Sequence, residues 1–206
     1  MSVVLYGASG NAGSRILSEL TSRGHQVKAV VRNPEKVKSI QAVRDDLSSA
    51  DRIAEIIRGA DAVVSAYAPP ANETEQIIGV TERQIEAVRK AGVSRLIVVG
   101  GAGSLEVAPG VTLLASGHLP EAWVSIAASH ARALEVLRKS DINWTYFSPA
   151  AFFEPGARTG KFRIGTKTLI ADDKGESRIS FEDYAVALVD ELERPSHERA
   201  QFTIGY

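Results

Sequence analysis

The sequence predicts an α/β fold: a doubly wound parallel sheet with helices on both faces and a small C-terminal cap. Three observations lead there. Short β-branched runs alternate along the chain with longer amphipathic stretches. The runs are apolar at nearly every position, as strands buried on both faces are. The first run, "VVLYG", opens directly into a glycine-spaced turn and a helical pattern, and a right-handed crossover from such a unit winds the sheet.

The elements follow in order. Residues 3–7 read as a buried strand ending in glycine, and 11–23 as a helix with Ile16, Leu17 and Leu20 on one face, closed by Gly24. A second strand covers 26–32, and "NPEKV" turns the chain through a short helical piece. "QAV" (41–43) is a third strand with Asp45 and Asp46 at its end. A helix over 49–60 leads to a fourth strand at 61–67. Residues 73–91 form a long amphipathic helix through Ile77, Val80, Ile85 and Val88, and 94–101 a fifth strand. A helix over 121–139 precedes a sixth strand at 143–149. After Pro149 the chain is richer in glycine and short alternating runs, which predicts hairpins, with Asp172–Gly175 as a turn. A helix over 181–195 and a last strand, "AQFTIGY", follow. Glu182 and Asp183 after Ser180 read as a helix start. Residues 1–206 are expected to form one domain, with 150–206 a substrate-side cap on the same core.

Composition excludes several classes. A net charge of −1 over 206 residues argues against a nucleic-acid footprint or an acidic-membrane binder. No cysteine means no disulfide, thiolate nucleophile or thiolate metal site. No spaced His/Asp/Glu set predicts a metal. No apolar run approaches bilayer length, and no basic-then-apolar leader opens the chain. A cytoplasmic protein is expected, as a monomer or homodimer handling a small molecule.

The chemistry starts at "GASGNAG". Gly7 suits the tight turn after the strand, Gly10 a close approach to a pyrophosphate, and Gly13 close packing of helix on strand. With Ala8, Ser9, Asn11 and Ala12 they form a Rossmann-type loop whose N–H groups and helix end favour an anion. At the end of the second strand, where an acidic residue would take a ribose hydroxyl, stand Arg32 and Asn33, with Lys36 a turn later. A guanidinium matches a phosphate in a bidentate way and an ammonium adds charge. These residues predict NADP(H) in preference to NAD(H); the competing reading of Arg32 and Lys36 is a solvated basic edge.

With GASGNAG, Arg32, "DDL" after the third strand and "VVGGAGS" after the fifth, the chain resembles the atypical short-chain dehydrogenase/reductase superfamily. It is most similar to the small NAD(P)H-binding group around NmrA-like proteins, NADH-flavin reductase-like proteins and biliverdin-IXβ/flavin reductase. "DINWTYFSPAAFFEPGARTGKFRIG" and "SRISFEDYAVALVDELERP" look like later landmarks of that group. The resemblance implies that Asp46 and Leu47 lie against the adenine. It also implies that Ala66, Tyr67 and Ala68 line the path of ribose and nicotinamide. Gly100 and Gly101 would floor the crevice, and Pro149, Ala150, Ala151 and Phe152 would approach the nicotinamide. For Tyr67 and Phe152, core packing is the competing reading.

The superfamily's usual Tyr-x-x-x-Lys pair is missing. Tyr6, Tyr67, Tyr146 and Tyr184 are not followed by lysine at that spacing, and in the expected helix Ala127 and Ala131 stand where the pair would be. Ser104 is the expected orienting donor. His130 is the second catalytic candidate, as a proton relay near pH 7; a loop serine and a helix histidine without function are the alternatives. The loop "LASGHLPEAW" is read as a lid, and Phe152, Phe153 and Trp123 as flat apolar walls. Three functions are compatible with this pattern. The first is an NADPH-dependent reductase acting on a conjugated acceptor such as a flavin or quinone, with solvent as proton source. The second is a non-catalytic NAD(P)-sensing regulator with a protein partner, using residues 104–120 as its surface. The third is an epimerase or isomerase.

Overall fold

The computed structural model describes residues 1–206. In chain order the strands are β1 (Ser2–Tyr6), β2 (Gln26–Val31), β3 (Ala42–Arg44), β4 (Ala62–Ser65), β5 (Leu96–Val99), β6 (Glu106–Ala108), β7 (Val111–Thr112), β8 (Trp144–Ser148), β9 (Phe152–Glu154), β10 (Arg163–Gly165), β11 (Arg178–Ser180) and β12 (Ala200–Gly205). The helices are α1 (Asn11–Ser22), α2 (Ala50–Ile57), α3 (Gln76–Ala91), α4 (Glu121–Arg138) and α5 (Phe181–Glu193). Short 3₁₀ turns at Pro34–Lys36 and Ala102–Ser104 follow β2 and β5.

Eight strands form one sheet in the order β10-β12-β8-β5-β4-β1-β2-β3. All its pairings are parallel except β10 with β12. The order reverses between β1 and β4, and in such sheets a crevice opens outside the carboxyl ends at that switch point. Side chains alternate between the two faces. Val3 and Leu5 enter a core under α1 and α5; Val4 and Tyr6 enter a second core under α2, α3 and α4. Both faces are therefore dry, which is why β1 reads as a continuous apolar run.

The sheet, the five helices and their sequence positions agree with the predicted fold class. Beyond Pro149 the hairpins are not found. β9 pairs with β11 in parallel, and β10 pairs with β12 across the intervening turns, β11 and α5. The Asp172–Gly175 turn forms, its carboxylate accepting from the Lys174 and Glu176 N–H groups at 2.9 Å each. Its flanks are claimed by other partners. Gly156 is held by the Glu182 carboxylate (2.9 Å), and Thr159 and Gly160 by Asp183 (2.8 Å each), so the α5 N-terminus dictates the path of this segment. Residues 150–206 also do more than cap: β12 lies inside the sheet and α5 packs on α1. A hairpin not foreseen, β6–β7, stands before α4.

Candidate functional site

The first part of the site is the loop between β1 and α1. Gly7 has φ +75°, and a Cβ there would collide with the Ala66 carbonyl across the switch point. A Cβ on Gly13 would fall on the Gly7 carbonyl. The loop is thus packed backbone on backbone. Gly10 caps α1 without a side-chain hydrogen bond, and no acidic residue stands in the first turn. α2 and α5, by contrast, begin on Ser49 and Ser180, whose hydroxyls accept from the Arg52 and Asp183 N–H groups. The first N–H groups of α1 are left to face an anion.

This loop borders a cavity of about 240 Å³ lined by Gly7, Ser9, Gly10, Arg32, Asn33, Lys36, Asp46, Leu47, Ala66, Tyr67 and Ala68, together with Tyr6, Val30, Val31 and Asp45. Ala8 and Gly13 are buried behind the loop, and Asn11 and Ala12 begin the helix. Arg32 and Lys36 are exposed and form no salt bridge, whereas Arg15, Arg23, Arg158 and Lys90 are all paired. A polar recess beside the cavity is lined by Arg32, Asn33, Arg44, Asp45 and Asp46. Arg44 is a residue that the sequence reading missed. It lies twelve positions after Arg32, and only the register of β3 on β2, with Arg44 opposite Val31, brings it to the same edge.

The far wall is stiff. Leu47 is in the left-handed region (φ 63°), costly for a branched residue. Its N–H donates to the Asp45 carboxylate (3.3 Å), and its carbonyl accepts from Arg83 Nε (2.6 Å). Burial raises the Asp45 pKa, with the neighbouring Asp46 adding to the rise against the Leu47 N–H. The Asp46 carboxyl is held below its usual range by the Ser48 side chain and N–H. Tyr67 donates to Gln76 (3.1 Å) and is half-buried at the cavity wall, not sealed in the core.

A second cavity of about 400 Å³ opens outside β5 and β8, farther along the same edge of the sheet. Three strand spacings separate β1 from β8, about 14 Å, the direction in which an extended dinucleotide crosses such a crevice. Gly101, Ala102, Gly103, Leu113, Leu119, Ile126, Ala127, Ala151 and Phe153 line it. Trp123 and Phe152 stand at its mouth, ring centroids 6.1 Å apart and nearly perpendicular, and both substantially exposed. Leu119 and Trp123 bring the predicted lid loop to this cavity, with Leu113 just before it. Gly100 packs against the Tyr146 ring, and Pro149 and Ala150 are buried beneath the cavity with Ala151 at its edge.

His130 lines this second cavity. Burial lowers its pKa to about 4, so the ring is neutral at pH 7. Its Nδ1 lies 3.4 Å from the Tyr146 hydroxyl. That hydroxyl accepts from the Gly101 N–H (3.0 Å) and donates to the His130 carbonyl (3.1 Å). A neutral imidazole carries one N–H donor and one acceptor nitrogen, the two groups through which a ring relays a proton. Tyr146 is fully buried and its pKa is raised, so it braces the wall.

Ser104 is not among the residues that line the cavity; its Oγ accepts from Gln201 Nε2 (2.8 Å), which also donates to Ser148 (3.0 Å). Gly103 fits against Ala127 with no room for a Cβ, and this close approach of the 3₁₀ turn to α4 leaves Ser104 facing β12. Ala127 lines the cavity wall, and no tyrosine or lysine does. No helix is long and apolar enough to cross a membrane.

Comparison with known proteins agrees with this geometry. YwnB of Bacillus subtilis, itself uncharacterized, is 39% identical over 208 aligned residues, 99% of this chain and 98% of its own. A candidate epimerase from Bacteroides thetaiotaomicron is 46% identical, with a TM-score of 0.93 over 100% of this chain and 96% of that one. A candidate NADH-flavin reductase from Streptococcus pneumoniae is 33% identical, with a TM-score of 0.91 over 100% and 99%. A family model described as NAD(P)H-binding matches residues 7–195, from the first glycine of the loop to beyond α5. The phosphate-ready loop, the switch-point cavity and this match together make the chain a member of the NAD(P)H-binding family.

Proposed function

We propose that the protein is an NADPH-dependent reductase that passes a hydride to a flat conjugated acceptor, a flavin or quinone. The observation that carries this reading is the second cavity: aromatic, apolar, next in line along the sheet edge from the switch-point cavity, and without a tyrosine–lysine pair. A ketone becoming an alkoxide needs a proton donor at its oxygen. A conjugated ring spreads the incoming electron pair, and solvent supplies the proton. When bound, the reduced nicotinamide supplies the hydride.

The chain's own residues bind and orient. The uncapped α1 N-terminus and the Gly7–Gly13 loop hold the diphosphate, and Asp46 and Leu47 meet the adenine. Ala66–Ala68 and the Gly100–Gly101 turn carry the remainder toward Pro149–Phe152. Trp123, Phe152 and Phe153 hold the acceptor ring and exclude water, and neutral His130 offers it a hydrogen bond. Arg32, Lys36 and Arg44, free of carboxylate partners, receive a 2′-phosphate and set the preference for NADP(H).

A sensor role has one observation in its favour: Trp123, Val124, Val107 and Val111 are exposed apolar side chains on α4 and the β6–β7 hairpin, within 104–124. The candidate-epimerase relative brings an epimerase reading, but the cavity offers no tyrosine or lysine for it. NADPH oxidation against a panel of flavins and quinones, with a protein-free control, tests the proposal. Turnover above control supports the reductase; none across the panel, with NADPH bound, favours the sensor. In the same assay Arg32→Glu is expected to lower the NADPH/NADH affinity ratio at least about tenfold, the scale of one charge-assisted phosphate contact. An unchanged ratio would remove Arg32 from the phosphate site.

A further inference from the structure

The second cavity has a charge character as well as a shape. Its wall contains no lysine and no arginine. Its one formally charged side chain is Glu154, at the exposed end of β9, with no salt-bridge partner. Glu121 adds a carboxylate in the first turn of α4, the end that carries Trp123, and offsets the positive pole an uncapped helix presents. Arg178 lies in the adjoining recess with Glu154, but it is already paired with Glu176. Lys167 is likewise occupied by Glu106 on the neighbouring hairpin (3.0 Å). Trp123, Phe152, Phe153 and Glu154 line the same cavity, so a ring seated on these aromatic side chains shares its pocket with an exposed carboxylate.

From this we infer that the site selects uncharged acceptors. Its substrates are flavin nuclei without a phosphate and quinones without acid groups, and Glu154 is the residue that rejects anionic tails. This rests on the reductase reading for the place of the cavity in the reaction. The charge argument depends only on the wall and its mouth. A dianionic phosphate within a few ångströms of an unpaired carboxylate at the protein surface is repelled strongly enough to weaken binding by roughly tenfold at low salt. The repulsion fades as the screening length shortens.

Fluorescence-quenching titrations of riboflavin and of its 5′-phosphate, with and without NADP⁺, measure this apart from turnover. Riboflavin is expected to bind about tenfold or more tightly than the phosphate in low salt, with the gap narrowing at high salt. Glu154→Gln should narrow the gap and Glu154→Lys should reverse it. Equal or tighter binding of the phosphate by the unaltered protein overturns the inference. So does binding of neither flavin, and so does a gap that both variants leave intact. NADPH oxidation in parallel separates the two readings. Selective binding without turnover sinks the reductase and leaves the charge selection standing. Equal turnover of both flavins does the opposite.

Discussion

A Cβ on Gly13 would land on the Gly7 carbonyl, which is backbone and cannot swing aside. Gly10 is different: a Cβ there meets only that same carbonyl at 3.3 Å, with solvent beyond. Gly13→Ala is therefore expected to lose about 1–3 kcal/mol of stability through overpacking. Gly10→Ala should keep its Tm and weaken NADPH binding alone. Thermal melts beside a cofactor titration tell the two apart; equal melting losses would contradict the assignment of Gly10 to ligand approach. His130 gives a second residue-level test. Its folded-state pKa, about 4, lies below the ordinary histidine value because of burial. Between those values the unfolded chain binds the extra proton, so stability falls as pH drops from about 6.5 toward 4. His130→Gln should flatten that slope in melts taken across the range. The placement of Arg32 at the cavity and of the three glycines in the loop beside it was legible in the sequence because it is local, a strand end or a turn. Arg44 and Ser104 were not. One depends on the β2–β3 register, the other on Gln201, 97 residues away.

Among the elements, α5 organises the C-terminal segment through its first turn. Asp183 is fully buried and accepts from the Thr159 and Gly160 N–H groups, the Thr159 hydroxyl (2.5 Å) and the Tyr206 hydroxyl (2.8 Å). Glu182 adds Gly156 and Arg15. Reading these two acids as a helix start, not as catalysts, agrees with their partners. Asp183→Ala leaves several buried donors unpaired and should cost about 3 kcal/mol or more. Urea unfolding measures the loss, and limited proteolysis should find new cleavage near 155–160. A loss below about 1 kcal/mol would mean that this carboxylate does not hold the segment. The helices and parallel strands were readable because each carries its own period. The pairing of β9 with β11 was not, since glycine turns and three-residue strands leave the choice of partner to this distant acid.

At the scale of the whole molecule, a buried ionic knot ties α5 to the central strands. Arg95, just before β5, donates to the Glu191 carboxylate (2.5 Å), the Glu191 carbonyl (3.0 Å) and Thr145 on β8 (2.8 Å). The other Glu191 oxygen lies 2.7 Å from His197 Nδ1. Burial pushes the Glu191 carboxyl up, but hydrogen bonds from His197, Ser196 and Arg95 outweigh it and hold the pKa low. This contribution is present above the ordinary carboxylate range and is lost as pH falls through the lowered value. It adds to the acid sensitivity of His130. Glu191→Ala strands a buried guanidinium and should cost about 3–5 kcal/mol, roughly 10 °C in Tm at this chain length. A shift of a degree or two in calorimetry would show the knot to be dispensable.

The sheet ends, on both sides, in a strand of three residues that carries an arginine: β3 with Arg44 and β10 with Arg163. Short, charged borders offer a neighbouring chain little backbone to latch onto. Growth of the sheet by a ninth strand from another molecule is thereby discouraged, and with it fibre formation by edge-to-edge stacking. Any pairing of two copies is left to the helical faces. The arginine that closes one border also stands in the recess where the cofactor's phosphate is proposed to rest, so binding and solubility depend on the same side chain.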